Sequence, residues 1–136
     1  MIAGLTFHHH GLAVRNDEQA LIFLGALGYV AGDLVHDKLQ DVRLRLCTHD
    51  RMPTVEIVMP GDGDGPTRGL LARNEGLLYH TCYEIDDRAG VLDALEEAGL
   101  RAFEVLAPTP AVLFGHRCVS FHSIRGFGLI ELLDRH

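Results

Sequence analysis

Two stretches of the chain match at one constant offset. Phe7-His8-His9-His10-Gly11-Leu12-Ala13-Val14 falls on Leu78-Tyr79-His80-Thr81-Cys82-Tyr83-Glu84-Ile85, a displacement of 80 − 9 = 71 residues. Self-similarity of this kind constrains a fold more than any local propensity, because each copy has to build the same supersecondary unit. Both stretches are rich in β-branched, aromatic and apolar residues and read as strands, each with a histidine at the same place. At the same offset Asn16 meets Asp87, both good helix N-caps, and Gly28 meets Gly99, both placed to end a helix in the left-handed conformation. Between them Ala20, Phe23, Leu24 and Leu27 recur at helical spacing in the first copy, and Val91, Leu92, Leu95 and Ala98 in the second. Asp93, Glu96 and Glu97 form the solvated face of the second helix.

After each helix come alternating apolar stretches. They are Val42-Arg43-Leu44-Arg45-Leu46 and Thr54-Val55-Glu56-Ile57-Val58 in the first half, Val119-Ser120-Phe121 and Leu129-Ile130-Glu131-Leu132-Leu133 in the second. Each half reads β-α-β-β-β, so the chain is expected to be α+β. The last strands match at 131 − 56 = 75, which implies four extra residues in the second half, either between Pro108 and His116 or in the Gly126-Phe127-Gly128 turn. The expected organisation is one domain over 1–136, with a first βαβββ module at 5–60, a connector at 61–77 and a second module at 78–134. The connector opens with Pro60-Gly61-Asp62-Gly63-Asp64-Gly65-Pro66. It invites a calcium-loop reading that fails, because Pro66 stands where the third oxygen ligand belongs and no matching pair of capped helices flanks it.

A chain of 136 residues buries roughly two-thirds of its unfolded surface and supports a real core. Twelve basic against nineteen acidic residues give a net charge of −7, and no cluster of Lys and Arg with interleaved aromatics is present. A nucleic-acid or anionic-membrane surface is therefore not expected, and the partner is a small molecule. An anionic substrate would need a bound dication or a few local arginines to reverse the field at the site. Cys47, Cys82 and Cys118 are odd in number and widely spaced, so reduced buried thiols are expected rather than a disulfide framework or a metal-binding pair. The N-terminal stretch lacks a charged region followed by a long apolar one, and no apolar run approaches membrane-spanning length, which points to the cytoplasm.

Two features of the repeat are costly unless they do something: a histidine in each first strand and a glutamate in the middle of each last strand. A carboxylate within Val55-Glu56-Ile57-Val58 or Ile130-Glu131-Leu132-Leu133 points away from its immediate neighbours. If those neighbours face the helix layer, the glutamates face the other side of the sheet. Pseudo-twofold symmetry would then gather His9, Glu56, His80 and Glu131 around one point. Two neutral imidazoles and two carboxylates suit a divalent transition ion and leave positions for water or substrate. Alignment with His80 selects His9 from its run, and strand alternation sends His8 and His10 to the other face.

These residues resemble the vicinal oxygen chelate superfamily, which includes glyoxalase I, methylmalonyl-CoA epimerase, extradiol dioxygenases and antibiotic-resistance proteins. The likeness is strongest to the epimerase-like branch and covers almost the whole chain. It is carried by His9-His10-Gly11-Leu12-Ala13-Val14, by Pro53-Thr54-Val55-Glu56-Ile57-Val58-Met59-Pro60, by Tyr79-His80-Thr81-Cys82-Tyr83-Glu84-Ile85-Asp86-Asp87 and by Gly128-Leu129-Ile130-Glu131-Leu132. The resemblance implies paired βαβββ modules forming a half-open barrel and often a homodimer. It also implies one divalent ion (Zn, Co, Ni, Mn or Mg) on His9, Glu56, His80 and Glu131. Where some methylmalonyl-CoA epimerases carry a glutamate proposed as a base, in the strand before the second ligand, this chain carries Leu44 between Arg43 and Arg45.

The chemistry the resemblance implies is chelation of two substrate oxygens with stabilisation of an enolate, as in epimerisation of a 2-methyl-branched acyl-CoA. Glu56 or Glu131 would serve as general base. Asp37, Gln40, His49 and His116 are either their partners from loops or ordinary solvated residues. Arg117 either meets a substrate carboxylate or phosphate or is a solvated edge residue, and Gln40 is a second candidate substrate contact. Tyr79 and Phe121 are expected in the core. The alternatives are a glyoxalase I-like isomerase or lyase of the lactoylglutathione lyase type, and a non-catalytic antibiotic- or ligand-binding resistance protein. Because such binding proteins commonly dispense with the metal, the intact four-residue set counts against the last.

Overall fold

The computed structural model describes residues 1–63, 65 and 67–136. Asp64 and Pro66, on which the calcium-loop reading turned, lie outside the described residues. The chain divides into two compact units, residues 9–79, and residues 1–8 together with 80–136. Among the described residues nine strands and three α-helices give an α+β protein; the second unit runs β-α-β-β-β as expected, whereas the first runs β-α-β-β-β-β, with two short strands where one was expected.

In the first unit β1 (Thr6–Val14) contributes its residues from His9 onward. It is followed by α1 (Glu18–Leu27), β2 (Val30–Ala31), β3 (Val35–Asp37), β4 (Val42–Thr48), β5 (Thr54–Pro60) and α2 (Thr67–Leu71). The strand order is β2-β4-β5-β1, with β3 also pairing β4. β1 and β5 run parallel, so Gly11 stands beside Glu56, while β4 and β5 are antiparallel with Leu46 opposite Glu56. Val14, Leu24, Cys47, Val55, Ile57 and Met59 form the buried cluster between sheet and helix, with Leu12, Ala20, Leu21 and Tyr29 packed against it. Burial also pushes the Cys47 thiol above its ordinary pKa, since desolvation penalises the thiolate; Cys82 is buried as expected, whereas Cys118, at the start of a strand, is only half-buried.

The second unit starts its repeat in β6 (Gly76–Ile85), which belongs to it from His80. α3 (Arg88–Glu97), β7 (Ala102–Pro110), a 3-10 turn at Val112–Phe114, β8 (Cys118–Ile124) and β9 (Gly128–Asp134) follow. The order is β6-β9-β8-β7. β6 and β9 are parallel, so Cys82 stands beside Glu131, and Phe121 of β8 is opposite Glu131. Ile85, Val91, Leu95, Ile130 and Leu132 form the core under α3, joined by Tyr83 and Leu92.

The register locates the four additional residues of the second half. Leu46 faces Glu56 and Phe121 faces Glu131, and 121 − 46 equals 131 − 56, so the two terminal hairpins are matched residue for residue. The insertion therefore precedes β8, on the Pro108–His116 side rather than in the 126–128 turn. There β7 is interrupted by register shifts between Glu104 and Leu106 and between Leu106 and Thr109, and the 3-10 turn follows.

Both helices stop at glycine with positive φ, 97° at Gly28 and 79° at Gly99. Their starts differ. Asp87 caps α3 by accepting the Gly90 N–H at 3.0 Å. Asn16 does not cap α1, and that expectation is corrected: Asp17 holds the cap position, and its carboxylate instead accepts from Arg45 Nε at 3.0 Å. The Asn16 side chain accepts the Glu18 N–H at 3.2 Å, an Asx turn one residue early. The buried face of α1 is likewise rotated from the expected one. Ala20, Leu21 and Leu24 pack inward, whereas Phe23 and Leu27 are exposed.

Candidate metal centre

Val55 and Ile57 belong to the core under α1, so Glu56 between them projects from the opposite face of the sheet. Leu12 and Val14 of β1 pack on the same core, and the alternation that puts them there turns His9, Gly11 and Ala13 toward the Glu56 side. His9 is fully buried and Glu56 is 3 % exposed. Their Nε2 and Oε1 atoms stand 3.6 Å apart. The second unit repeats the arrangement. Ile130 and Leu132 enter the core under α3, Glu131 turns away from it, and His80 Nε2 lies 3.5 Å from Glu131 Oε2, with both side chains buried.

Both separations exceed an ordinary hydrogen bond, whose N–O distance is around 2.7–3.2 Å. Two donors at zinc-like bond lengths and a tetrahedral angle stand roughly 3.4 Å apart. Each pair is therefore spaced for sharing a divalent ion. The chemistry fits as well: an imidazole and a carboxylate are donors such ions take, and a buried carboxylate is unstable without a compensating charge.

The faces that carry these pairs are otherwise largely apolar. Around Glu56, the residues that share its side include Leu46, Leu44 and Val42 of β4 and Val58 of its own strand. Leu44 is 4 % exposed, so the position of the missing acid is filled by hydrocarbon rather than left open to water. In the second unit the ring of Phe121 meets the His80 ring edge-on at 5.2 Å and 83°. Phe121 is core, as expected, and is also the wall against which His80 rests. Cys82, two residues beyond His80 and so on the same face, donates from Sγ to Glu131 Oε1 at 3.4 Å. The sequence marks Cys82 only as a reduced thiol; its place beside Glu131 was not read, although the period of two after His80 was its signal.

The loop candidates hold structure together. The buried Asp37 carboxylate accepts the backbone N–H and the Nε2–H of Gln40, both at 3.0 Å, and so closes the turn between β3 and β4. Asp37 shares the Glu56 side of the sheet through Val42 and Pro60. Pro60 is four residues along the strand from Glu56, which is about 13 Å. His49 binds the Leu27 carbonyl at 3.0 Å through Nε2, and its Nδ1 accepts the Arg51 and Met52 N–H groups. Both ring nitrogens are thus committed. His116 is exposed, with φ of 66°, in the turn before β8.

Arg117 donates to Glu84 Oε2 at 2.9 Å and to the carbonyls of Phe114 and Asp134 at 3.2 Å. Arg117→Ala is expected to lower stability by about 1–2 kcal/mol, read as a shift of the denaturation midpoint. An unchanged midpoint would mean these contacts contribute nothing.

On the helix side of the second sheet, Ser120 and His122 are buried and joined at 2.9 Å through Oγ and Nε2. Arg88 at the start of α3 donates to Ser120 Oγ and forms an ion pair with Asp134 at 2.5 Å. Among the described residues His122 Nδ1 has no partner. Burial pushes the His122 pKa below its ordinary value, with Glu104 opposing and Arg88 reinforcing the effect. The unfolded chain therefore binds the proton first, and stability falls as pH drops below about 6.5 toward the lowered folded value. His122→Gln is expected to lose less stability than the native chain between about pH 7 and pH 5. Identical pH profiles in denaturant titrations would refute this.

The sequence profile described as the Glyoxalase/Bleomycin resistance protein/Dioxygenase superfamily matches residues 8–119. No curated protein matches the chain in sequence. Among solved structures, methylmalonyl-CoA epimerase from Mycobacterium tuberculosis is similar at 18% identity and a TM-score of 0.72, covering 99% of this chain and 89% of that one. A hypothetical protein from Bacillus halodurans reaches a TM-score of 0.80 at 16% identity, over 97% and 95% of the two chains. Streptomyces coelicolor methylmalonyl-CoA epimerase in complex with 2-nitronate-propionyl-CoA gives 0.75 at 16% identity, over 97% and 98%. At these identities the likeness is one of fold.

Proposed function

The chain belongs to the glyoxalase/bleomycin resistance protein/dioxygenase superfamily, and from that premise we propose that it is a metal-dependent enzyme that moves a proton at a carbon next to a chelated carbonyl. The observation that carries this reading is the buried His–Glu pair that each unit holds on the sheet face away from its helix. We infer that the two pairs, duplicated in sequence and construction, hold one ion between them through His9, Glu56, His80 and Glu131. Two neutral imidazoles and two carboxylates carry a charge of −2 that a dication offsets. When bound, the ion supplies Lewis-acid polarisation of the substrate oxygens, worth several kcal/mol to a developing oxyanion.

The protein's own part is to exclude water and to handle the proton. Leu44, Leu46 and Val58 in one unit and Phe121 in the other set hydrocarbon beside the glutamate of their own pair, and a low-polarity surround strengthens the charge interactions of that pair. Among the described residues, Asp37 and Glu84 are the other acids on these strand faces, and they are engaged by Gln40 and Arg117. The general base is therefore Glu56 or Glu131 itself, taking the proton with one oxygen. Substrate contacts from Arg117 and Gln40 require those side chains to exchange Glu84 and Asp37 for substrate.

The substrate class we favour is a 2-methyl-branched acyl-CoA, as in epimerisation. The likeness in fold to an epimerase solved with 2-nitronate-propionyl-CoA supports this. The test is proton NMR in deuterium oxide with methylmalonyl-CoA and metal: the C2 proton signal is expected to decay, and its persistence would remove the acyl-CoA reading. A second reading is favoured by Leu44. Epimerisation through two bases wants an acid on each side of the planar enolate, whereas a glyoxalase-type 1,2-proton shift is served by one carboxylate that takes and returns the proton. Metal-dependent turnover of methylglyoxal plus a thiol, without exchange into the acyl-CoA, would select that reading.

A further inference from the structure

Among the positions beside the proposed ligands at which the two copies differ, one brings a hydrogen-bond donor to a glutamate in one copy and nothing in the other. Gly11 and Cys82 occupy equivalent places at the 71-residue offset, and each stands next to the glutamate of its own unit in the parallel pairing, Gly11 beside Glu56 and Cys82 beside Glu131. Glycine brings no side chain to Glu56. Cys82 brings a fully buried thiol that donates to Glu131 Oε1 at 3.4 Å, while Glu131 Oε2 faces His80 at 3.5 Å. The two carboxylate oxygens are thereby told apart: one is tied to the thiol and the other is presented beside the imidazole.

We propose that Cys82 is a positioning residue that fixes the rotation of the Glu131 carboxylate, so that Oε2 alone is offered to the ion. This rests on the metal reading above. A carboxylate free to rotate about its last torsion samples bidentate and turned-away orientations, because that torsion is broad. An S–H donor on one oxygen removes part of that freedom before the ion arrives. Hydrogen bonds of this kind to metal-binding carboxylates orient them, and their loss typically weakens metal binding by roughly 10- to 100-fold. The thiol acts here as a small, weak donor in a dry place, and no proton need leave it.

The experiment compares native protein, Cys82→Ala and Cys82→Ser, each titrated with zinc and with cobalt in the absence of substrate, beside melts of the metal-free proteins. The Ala variant is expected to bind zinc about 10- to 100-fold more weakly. The Ser variant, which keeps a donor, should recover most of that loss. The metal-free melts report whether each variant folds, and the Ser variant keeps the proposal testable if the Ala variant does not. Native and Ala proteins of equal affinity, or a Ser variant as weak as the Ala variant, would overturn the positioning role. A thiolate-to-cobalt charge-transfer band in native protein, absent from the Ser variant, would overturn it differently, by making Cys82 a ligand. Failure of native protein to bind any of these ions would instead bring down the metal reading and this inference with it.

Discussion

Glu131→Ala and Glu56→Ala are each expected to abolish tight binding of a divalent ion, with a dissociation constant raised about a hundredfold or more, since the loss of an outer partner of a ligand alone costs 10–100-fold. Each glutamate is the carboxylate half of a buried pair with a histidine 3.5–3.6 Å away. Removal therefore leaves a single imidazole in that unit, where ligand number and charge both decide affinity. The effect on the metal-free chain should have the other sign or be small. Each variant removes a buried carboxylate whose desolvation costs the metal-free chain, so the loss of stability in its metal-free form should stay small beside the loss of ion affinity. Native protein should gain about 2.7 kcal/mol at an ion concentration a hundred times its dissociation constant, and the variants almost none. Calorimetric titration and melts with and without zinc provide both readouts. Unchanged affinity in either variant would break the argument from duplication.

The duplicated His–Glu pairs were legible in the sequence because two periods coincided. The 71-residue offset picked His9 out of a run of three, and the period of two within Val55-Glu56-Ile57 and Ile130-Glu131-Leu132 turned both glutamates away from the helix layer. The elements that stayed illegible lack such a period. β2 and β3 span two and three residues, too short to display alternation. β7 is largely exposed and twice interrupted in register, so neither burial nor spacing marks it. On α1, Ile22, Phe23 and Leu27 are exposed apolar residues, and they blur which stripe is buried. Cys82 and Phe121 needed the strand register itself, because what matters about them is that both lie beside Glu131 from opposite strands. Leu44 was visible from sequence as an absence. Its burial on the Glu56 side of the sheet is what converts that absence into a chemical statement about the base.

The most decisive change for chemistry is the exchange of one atom. Glu56→Gln and Glu131→Gln each keep a carbonyl oxygen at the position of a ligand but remove the ability to accept a proton at neutral pH. One of the two is expected to lose deuterium exchange by about 10²–10⁴-fold, the usual contribution of a positioned general base. Its affinity for zinc should fall far less than in the Ala variant, because an amide oxygen still faces the paired histidine. The comparison separates the two roles assigned to these carboxylates, since a residue that is only a ligand loses exchange in proportion to metal occupancy, whereas a base loses exchange at full occupancy. The measurement is the NMR exchange rate at saturating metal. If both variants exchange at the native rate when fully loaded, neither glutamate is the base. Proton transfer would then pass to a group such as Glu84 or Asp37, after it exchanges Arg117 or Gln40 for substrate.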